Sequence, residues 1–293
     1  MNHELQILDG GMGSELIRRG HIPRTGLWSA RALLETPEAV LEVHGEYISA
    51  GAQIIITNSY STIPSYLAKT GMEHSYQELT EVAAKLAREA ADNAATAPKV
   101  AGSLPPLDES YRHDLVPADD ESRRVYAELV RVLSPHVDLY LCETMSCARE
   151  GANAAAAARA ADPGKPLWVA WTLDETPGMG LRSGESVAQA LAAVEPFQPD
   201  AYLFNCTSPR AITAAIETLS ELTAKPIGAY PNSYYVPEGW TLDNEKTMGG
   251  RDMAEDEFVG FSRDWLAKGA SIIGGCCGIG PAHIQAMSRA LKA

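Results

Sequence analysis

Ser271-Ile272-Ile273-Gly274-Gly275-Cys276-Cys277-Gly278 runs a short apolar strand into two glycines, two adjacent cysteines and a third glycine. Neighbouring side chains of a strand point to opposite faces, so two adjacent thiols face one point only where the strand has ended. The flanking glycines allow a turn that a residue with a Cβ resists. The stretch therefore reads as the end of a buried strand, bent so that both sulfurs converge, with a helical pattern over 281–291 behind it. Taken alone, it reads equally well as one core cysteine beside an incidental one, or as a vicinal disulfide, because free cysteine is often a small buried hydrophobe.

Outward from there, the same figure recurs along the chain. Gln6-Ile7-Leu8 ends at Asp9 and a turn of Gly10-Gly11-Met12-Gly13. Gln53-Ile54-Ile55-Ile56-Thr57 ends at Asn58. Further apolar runs cover 99–104, 139–144, 166–173, 201–207 and 226–232. Helical patterns separate them, with legible punctuation. Thr36 can cap one, Pro37 suits its first turn and Gly51 closes it. Ser146 can cap another, and Ser208-Pro209 opens a third. The alanine run at 154–158 reads as an exposed or tightly packed helix. Continuous apolar strands without hairpin turns suit a parallel sheet buried on both faces. Eight such strands in 293 residues predict an α/β fold, a single (β/α)8 TIM-type barrel domain over 1–293. A doubly wound open sheet is the competing fold. Its nucleotide fingerprint is missing, because the glycine turn after Leu8 lacks the G-x-G-x-x-G spacing and no phosphate-binding lysine follows.

Bulk properties exclude several classes of partner. The net charge of −14 and a pI near 4.9 argue against nucleic acid and an anionic membrane surface, and suit a cationic small molecule. No stretch has the length and apolarity of a membrane span. Met1-Asn2-His3-Glu4 lacks the basic and apolar regions of a signal peptide. Five cysteines, an odd number, point to a reducing cytosol and away from a disulfide framework. The expected location is cytoplasmic, and a homo-oligomer stays open.

In a barrel of this kind the strand ends share the face where chemistry is done. Those ends are Asp9, Asn58, Ser103, Glu143, Thr172, Asn205, Cys206, Asn232, Cys276 and Cys277. Cys206 comes from the sixth strand and the cysteine pair from the eighth, so their thiols can meet above the seventh. Three converging thiolates suit zinc. No C-x-x-C or C-x-x-H spacing lies near them, and His44, His74, His113, His136 and His283 fall on helices or loops, which makes histidine a poor candidate for a fourth ligand. Three ligands and one open position make the catalytic kind of site. So thiolate-rich an ion is suited to capture a substrate thiol, whose pKa of about 8.5 drops on binding.

These residues bear a family likeness. With Leu8-Asp9-Gly10-Gly11-Met12-Gly13, Leu27-Trp28-Ser29-Ala30, Thr57-Asn58-Ser59-Tyr60, Glu143-Thr144-Met145, Phe204-Asn205-Cys206-Thr207 and Gly274-Gly275-Cys276-Cys277-Gly278, the whole chain resembles the zinc-dependent homocysteine S-methyltransferases. The resemblance implies a zinc-bearing barrel in which Cys206, Cys276 and Cys277 hold Zn2+ and homocysteine sulfur takes the open position. Glu143 and Asp9 would bind its ammonium, and backbone N–H groups near Gly10 and Gly11 its carboxylate. Asn205 and Asn232 join them as substrate-binding candidates. Cys142 should face the core, and Cys147 has no assigned role.

The methyl donor must be a cation with a good leaving group, and aromatic faces attract cations. Trp28, Tyr60, Trp171, Tyr230, Tyr234 and Tyr235 are the candidates. Thr144 replaces the aromatic residue that follows the glutamate in the betaine-using branch, and the chain stops after the eighth helix. Both favour S-methylmethionine or S-adenosylmethionine as donor. Pro105-Pro106-Leu107-Asp108 departs from the glycine-rich run usual in the sulfonium-using branch, which leaves the donor open. A module served by a corrinoid partner and a non-catalytic zinc or thiol-amino-acid sensor are the alternatives. The connections 105–120 and 232–252 are long and should lie on the catalytic rim.

Overall fold

The strands of the computed structural model are β1 (Gln6–Ile7), β2 (Ile54–Ile56), β3 (Lys99–Leu104), β4 (Leu139–Met145), β5 (Leu167–Trp171), β6 (Ala201–Asn205), β7 (Ile227–Tyr230) and β8 (Ile272–Ile273). The structure describes residues 3–23, 26–237, 239–240, 249 and 252–292. All neighbouring strands are parallel, in the order β1-β8-β7-β6-β5-β4-β3-β2. The circle closes between β1 and β2. Leu8 bridges Ile54 in parallel, Asp9 N–H donates to the Ile54 carbonyl at 3.1 Å, and Gln53 N–H donates to that of Ile7 at 2.7 Å. Closure makes this a (β/α)8 barrel and rules out the open doubly wound sheet.

The helices Pro37–Ala50, Tyr76–Asp92, Asp119–Leu133, Ala148–Ala161, Val187–Val194, Pro209–Leu222, Glu255–Ala267 and Pro281–Lys292 each follow a strand. Strand alternation sorts the apolar residues into two layers. Leu8, Leu139, Leu141, Ala170, Leu203 and Ile272 fill the barrel interior. Ile7, Tyr140, Cys142, Val169 and Phe204 pack outward against the helices. Cys142 is thus a core residue, and burial pushes its thiol pKa well up. The alanine run is the tightly packed kind, with Ala154, Ala155, Ala157 and Ala158 all buried. Among the described residues, no helix is long and apolar enough to cross a membrane.

Helix punctuation departs from expectation in instructive ways. Pro37 opens its helix and Gly51, at φ 111°, closes it, but the Thr36 hydroxyl makes no capping bond. Ser146 does not cap the helix after β4. Cys147 does, its sulfur accepting the Glu150 N–H at 3.4 Å, while Glu150 reaches back to the Ser146 hydroxyl at 2.8 Å. Ser208 lies at the N-cap of its helix without a side-chain bond, and its N–H donates to Glu175 Oε2 at 3.0 Å.

The β8–β1 seam leaves no room for a side chain at Gly274. A Cβ there would lie 2.8 Å from the Asp9 carbonyl oxygen and press on the Leu8 side chain. Gly274→Ala should therefore destabilise the protein by about 1–3 kcal/mol in denaturant unfolding, as overpacking does. A change under about 0.5 kcal/mol, the level of a neutral surface substitution, would contradict the tight seam.

Candidate active site

The bent strand end after β8 is held from both sides. Gly275 N–H donates to the Asp9 carbonyl at 2.9 Å and Cys276 N–H to that of Pro231 at 2.7 Å. Cys277 N–H donates to Asn232 Oδ1 at 3.1 Å and Gly278 N–H to Ser14 Oγ at 3.0 Å. Cys206 stands just past β6 with φ at 50°, a left-handed conformation rare for a residue with a Cβ. Its N–H reaches the Tyr230 carbonyl at 3.3 Å, and its own carbonyl accepts from Thr172 Oγ1 at 3.2 Å. The outcome is that the sulfurs of Cys206, Cys276 and Cys277 all lie within 4.8 Å of one another.

The sulfurs of Cys206 and Cys276 are in contact, Cα to Cα 5.7 Å, with the Cys277 sulfur beside them. The donor set suits a soft or borderline ion such as zinc, whose bonds to sulfur are about 2.3 Å. Metal ligation takes these cysteines as thiolates.

Beside the sulfurs lie two buried carboxyl groups. Glu143 owes its aim to an irregularity: the register of β4 against β5 shifts between Cys142 and Met145, where Thr144 adopts φ 60°. Such a bulge re-aims a side chain near a functional site. Asn205 holds it, accepting the Thr144 N–H and donating to Thr144 Oγ1, both at 2.8 Å. Glu143 accepts a short hydrogen bond from Ser103 and a longer one, 3.4 Å, from the Tyr230 hydroxyl. Burial nevertheless pushes its pKa up to about 7. Asp9 takes the Ile56 N–H on Oδ2 at 2.9 Å and, among the described residues, has no partner on Oδ1. Burial raises its pKa well above the usual range, and the charge of Glu143 adds to that. Two carboxyls that resist ionisation for want of a counter-charge form a receptor for a cation.

Other expected contacts need correction. Gly11 N–H donates to the Ile279 carbonyl at 3.0 Å and is not free for a substrate carboxylate. What Gly11 supplies is space, since a Cβ would meet the Cys276 carbonyl. Gly10 N–H makes no such bond among the described residues. Asn205 is committed at both ends to Thr144, the neighbour of Glu143. Asn232 is divided: Oδ1 holds Cys277, and Nδ2 is buried with no hydrogen-bond partner among the described residues.

The aromatic candidates also separate. Trp171 stacks on Tyr202 in the outer layer, 5.9 Å between centroids, and Tyr235 is exposed where it bridges Gly249. Trp28 and Tyr60 meet edge to face at 6.3 Å, and Tyr60 bonds Ser110 at 2.7 Å. Tyr230 lies inside the barrel, and Tyr234 packs at Gly278. Of the second long connection, residues 238, 241–248 and 250–251 lie outside the described residues.

Sequence reasoning missed Tyr111, Glu175 and Arg182. Tyr111, at φ 68° in the loop after β3, lies near Cys277 and Asn232 and meets Trp240 at 5.7 Å. That loop had been marked by its length, but its tyrosine had not. Glu175 accepts from Ser208 N–H and Val236 N–H and pairs with Arg182, tying together the loops after β5, β6 and β7.

Comparison with known proteins agrees with this arrangement. Residues 6–291 match the family model described as homocysteine S-methyltransferase. The chain is 33% identical to homocysteine S-methyltransferase YbgG of Bacillus subtilis, covering 99% of this chain and 96% of that protein. It superposes with TM-score 0.81 on the metallated form of the homocysteine methyltransferase MmuM from Escherichia coli, at 30% identity over 98% of this chain and 96% of that one. The oxidized form of MmuM superposes equally well, at 0.81.

The raised Glu143 pKa carries a stability signature. The unfolded carboxyl ionises near 4.5 and the folded one near 7. Between those values the folded protein keeps a proton that the unfolded chain gives up, so the Glu143 contribution to stability falls as pH rises. In metal-free protein, Glu143→Gln should gain about 2 kcal/mol on the unaltered protein between about pH 5 and pH 8. Denaturant unfolding at both pH values measures it, and a pH-independent difference would contradict the buried carboxyl.

Proposed function

This chain belongs to the homocysteine S-methyltransferase family, and from that premise we propose a zinc-dependent enzyme that makes methionine by moving a methyl group from a sulfonium donor to homocysteine. The observation that carries the reading is the meeting of three sulfurs, from the turns after β6 and β8, beside the buried carboxyls of Asp9 and Glu143. Cys206, Cys276 and Cys277 would hold the ion. Zinc, when bound, supplies a Lewis acid that lowers the pKa of an incoming thiol, so that the thiolate is present at neutral pH.

The remaining work falls to the protein. Asp9 Oδ1 and the Glu143 carboxylate receive the homocysteine ammonium, and its arrival restores both groups to their charged forms. Ser103 and Tyr230 fix Glu143 in place. Gly10 N–H and Asn232 Nδ2–H are the donors left for the substrate carboxylate. Trp28 and Tyr60 offer aromatic faces to the cationic donor. The homocysteine thiolate attacks the methyl carbon in line, and the breaking C–S bond leaves its electron pair on the donor sulfur. A sulfonium departs as a neutral thioether, so the step asks no proton of the protein. With S-methylmethionine as donor, both products are methionine. A reducing cytosol fits, because it keeps Cys206 and Cys276 as thiols.

Reduced, zinc-loaded protein given homocysteine should form methionine with S-methylmethionine or S-adenosylmethionine and not with betaine. No methionine from any donor would refute the reading. Metal analysis and calorimetry divide the roles. Cys276→Ala should lose the metal. Glu143→Ala should keep it and bind homocysteine about tenfold or more weakly, as loss of a charge-assisted hydrogen bond implies. Metal loss in the glutamate variant would contradict the assignment.

A further inference from the structure

Arg182 has no part in the chemistry above, yet the fold takes trouble over it. Leu173 and Leu181 pair antiparallel, with Asp174 N–H on the Gly180 carbonyl at 3.0 Å, and fold the loop after β5 back on itself. This brings Arg182 to the loop layer above the strand ends, where its side chain is only 10% exposed. Nη2 pairs with Glu175 Oε1 at 2.9 Å, and Nη1 reaches the Val236 carbonyl at 3.4 Å. Nε is buried and, among the described residues, has no hydrogen-bond partner. A guanidinium carries five N–H donors in a planar fork suited to carboxylates, and an unmet donor in a buried place is unfavourable unless a ligand meets it.

The surroundings say which ligand. The guanidinium lies 5.0 Å from the centroid of the Tyr111 ring, and Tyr111 in turn neighbours Cys277 and Asn232 at the thiol cluster. Tyr111 thus neighbours both the guanidinium and the thiol cluster. Glu175 is occupied by the N–H groups of Ser208 and Val236 as well as by Arg182, so its charge is shared among three donors. The acceptor amino acid has its own receptor lower down, at Asp9, Glu143 and Gly10 on the strand ends. Arg182 belongs to a different layer and to the rim of β5 and β7, where the second substrate must approach the homocysteine sulfur from outside.

We propose that Arg182 binds the carboxylate of the methyl donor, so that the donor is an amino-acid-like cation bearing its own anion and not a bare sulfonium or ammonium. The proposal rests on the methyltransferase reading. It makes Arg182 a specificity-determining residue, with Tyr111 spacing the donor's anion from its transferable methyl.

The test compares S-methylmethionine with trimethylsulfonium, which lacks the carboxylate, in zinc-loaded full-length protein and its R182Q variant. Glu175 keeps the N–H groups of Ser208 and Val236, so the loop tie survives. With homocysteine saturating, R182Q should lower kcat/KM for S-methylmethionine about tenfold or more, through donor KM, as loss of a charge-assisted carboxylate contact implies. The KM for homocysteine and the rate with trimethylsulfonium should stay within about twofold. Equal losses with both donors would make Arg182 merely structural and overturn the proposal, as would no loss with either. If the unaltered protein turns over no donor, the methyltransferase reading fails on its own. Calorimetric titration of S-methylmethionine into both proteins then decides the anchor: weaker binding by R182Q supports it, and equal binding, or none by either, overturns it.

Discussion

Gly275 N–H donates to the carbonyl of Asp9 across the β8–β1 seam, at 2.9 Å, and two further bonds from Cys276 and Cys277 reach the end of β7. These three bonds fix the turn that carries two of the three sulfurs. They also fix its height relative to Asp9. A strand by itself would send Cys276 and Cys277 to opposite faces. The turn breaks that alternation, and the glycines around it exist because backbone and neighbouring side chains crowd the positions where a Cβ would be. Barrel closure and thiol convergence are therefore one constraint seen at two scales.

The mouth of the barrel holds charge and strain that the fold alone has no use for. Among the described residues, four of the six non-glycine residues with positive φ lie toward this face: Thr144 near the end of β4, and Trp28, Tyr111 and Cys206 in the connections after β1, β3 and β6. Strained backbone of this sort persists where the surroundings over-determine it, and Asn205 clamping Thr144 is such a device. The carboxyls of Asp9 and Glu143 are buried without a cation, at a stability cost that a bound ammonium would offset. Binding and folding thus draw on the same groups, which is the usual tension at an active site.

Strand ends were legible in the sequence because each apolar run stops at a polar residue, thiol or glycine, and a parallel barrel gathers those stops on one face. Asp9, Glu143, Cys206, Cys276 and Cys277 follow from that rule alone. Asn205 sits at a strand end too, but its partner Thr144 depends on a bulge that no periodicity announces. Gly11 looked like a free donor because its carbonyl partner, Ile279, lies far along the chain. Tyr111, Glu175 and Arg182 were invisible for a similar reason. Their positions come from the Leu173–Leu181 pairing and from bonds between loops, and loop side chains carry no period to read. Thr36 has the right residue type for a cap and makes no capping bond, and Cys147 caps a helix through sulfur, which shows how weakly residue type alone decides a helix end.

Three convergent protein sulfurs that would hold one ion, with a place left for a substrate thiol, carry the proposed chemistry. X-ray absorption at the zinc edge of reduced, zinc-loaded protein, with and without homocysteine, tests this most directly. It should show three sulfur neighbours without homocysteine and four with it. Four protein ligands from the start, or a sulfur count that homocysteine leaves unchanged, would contradict it.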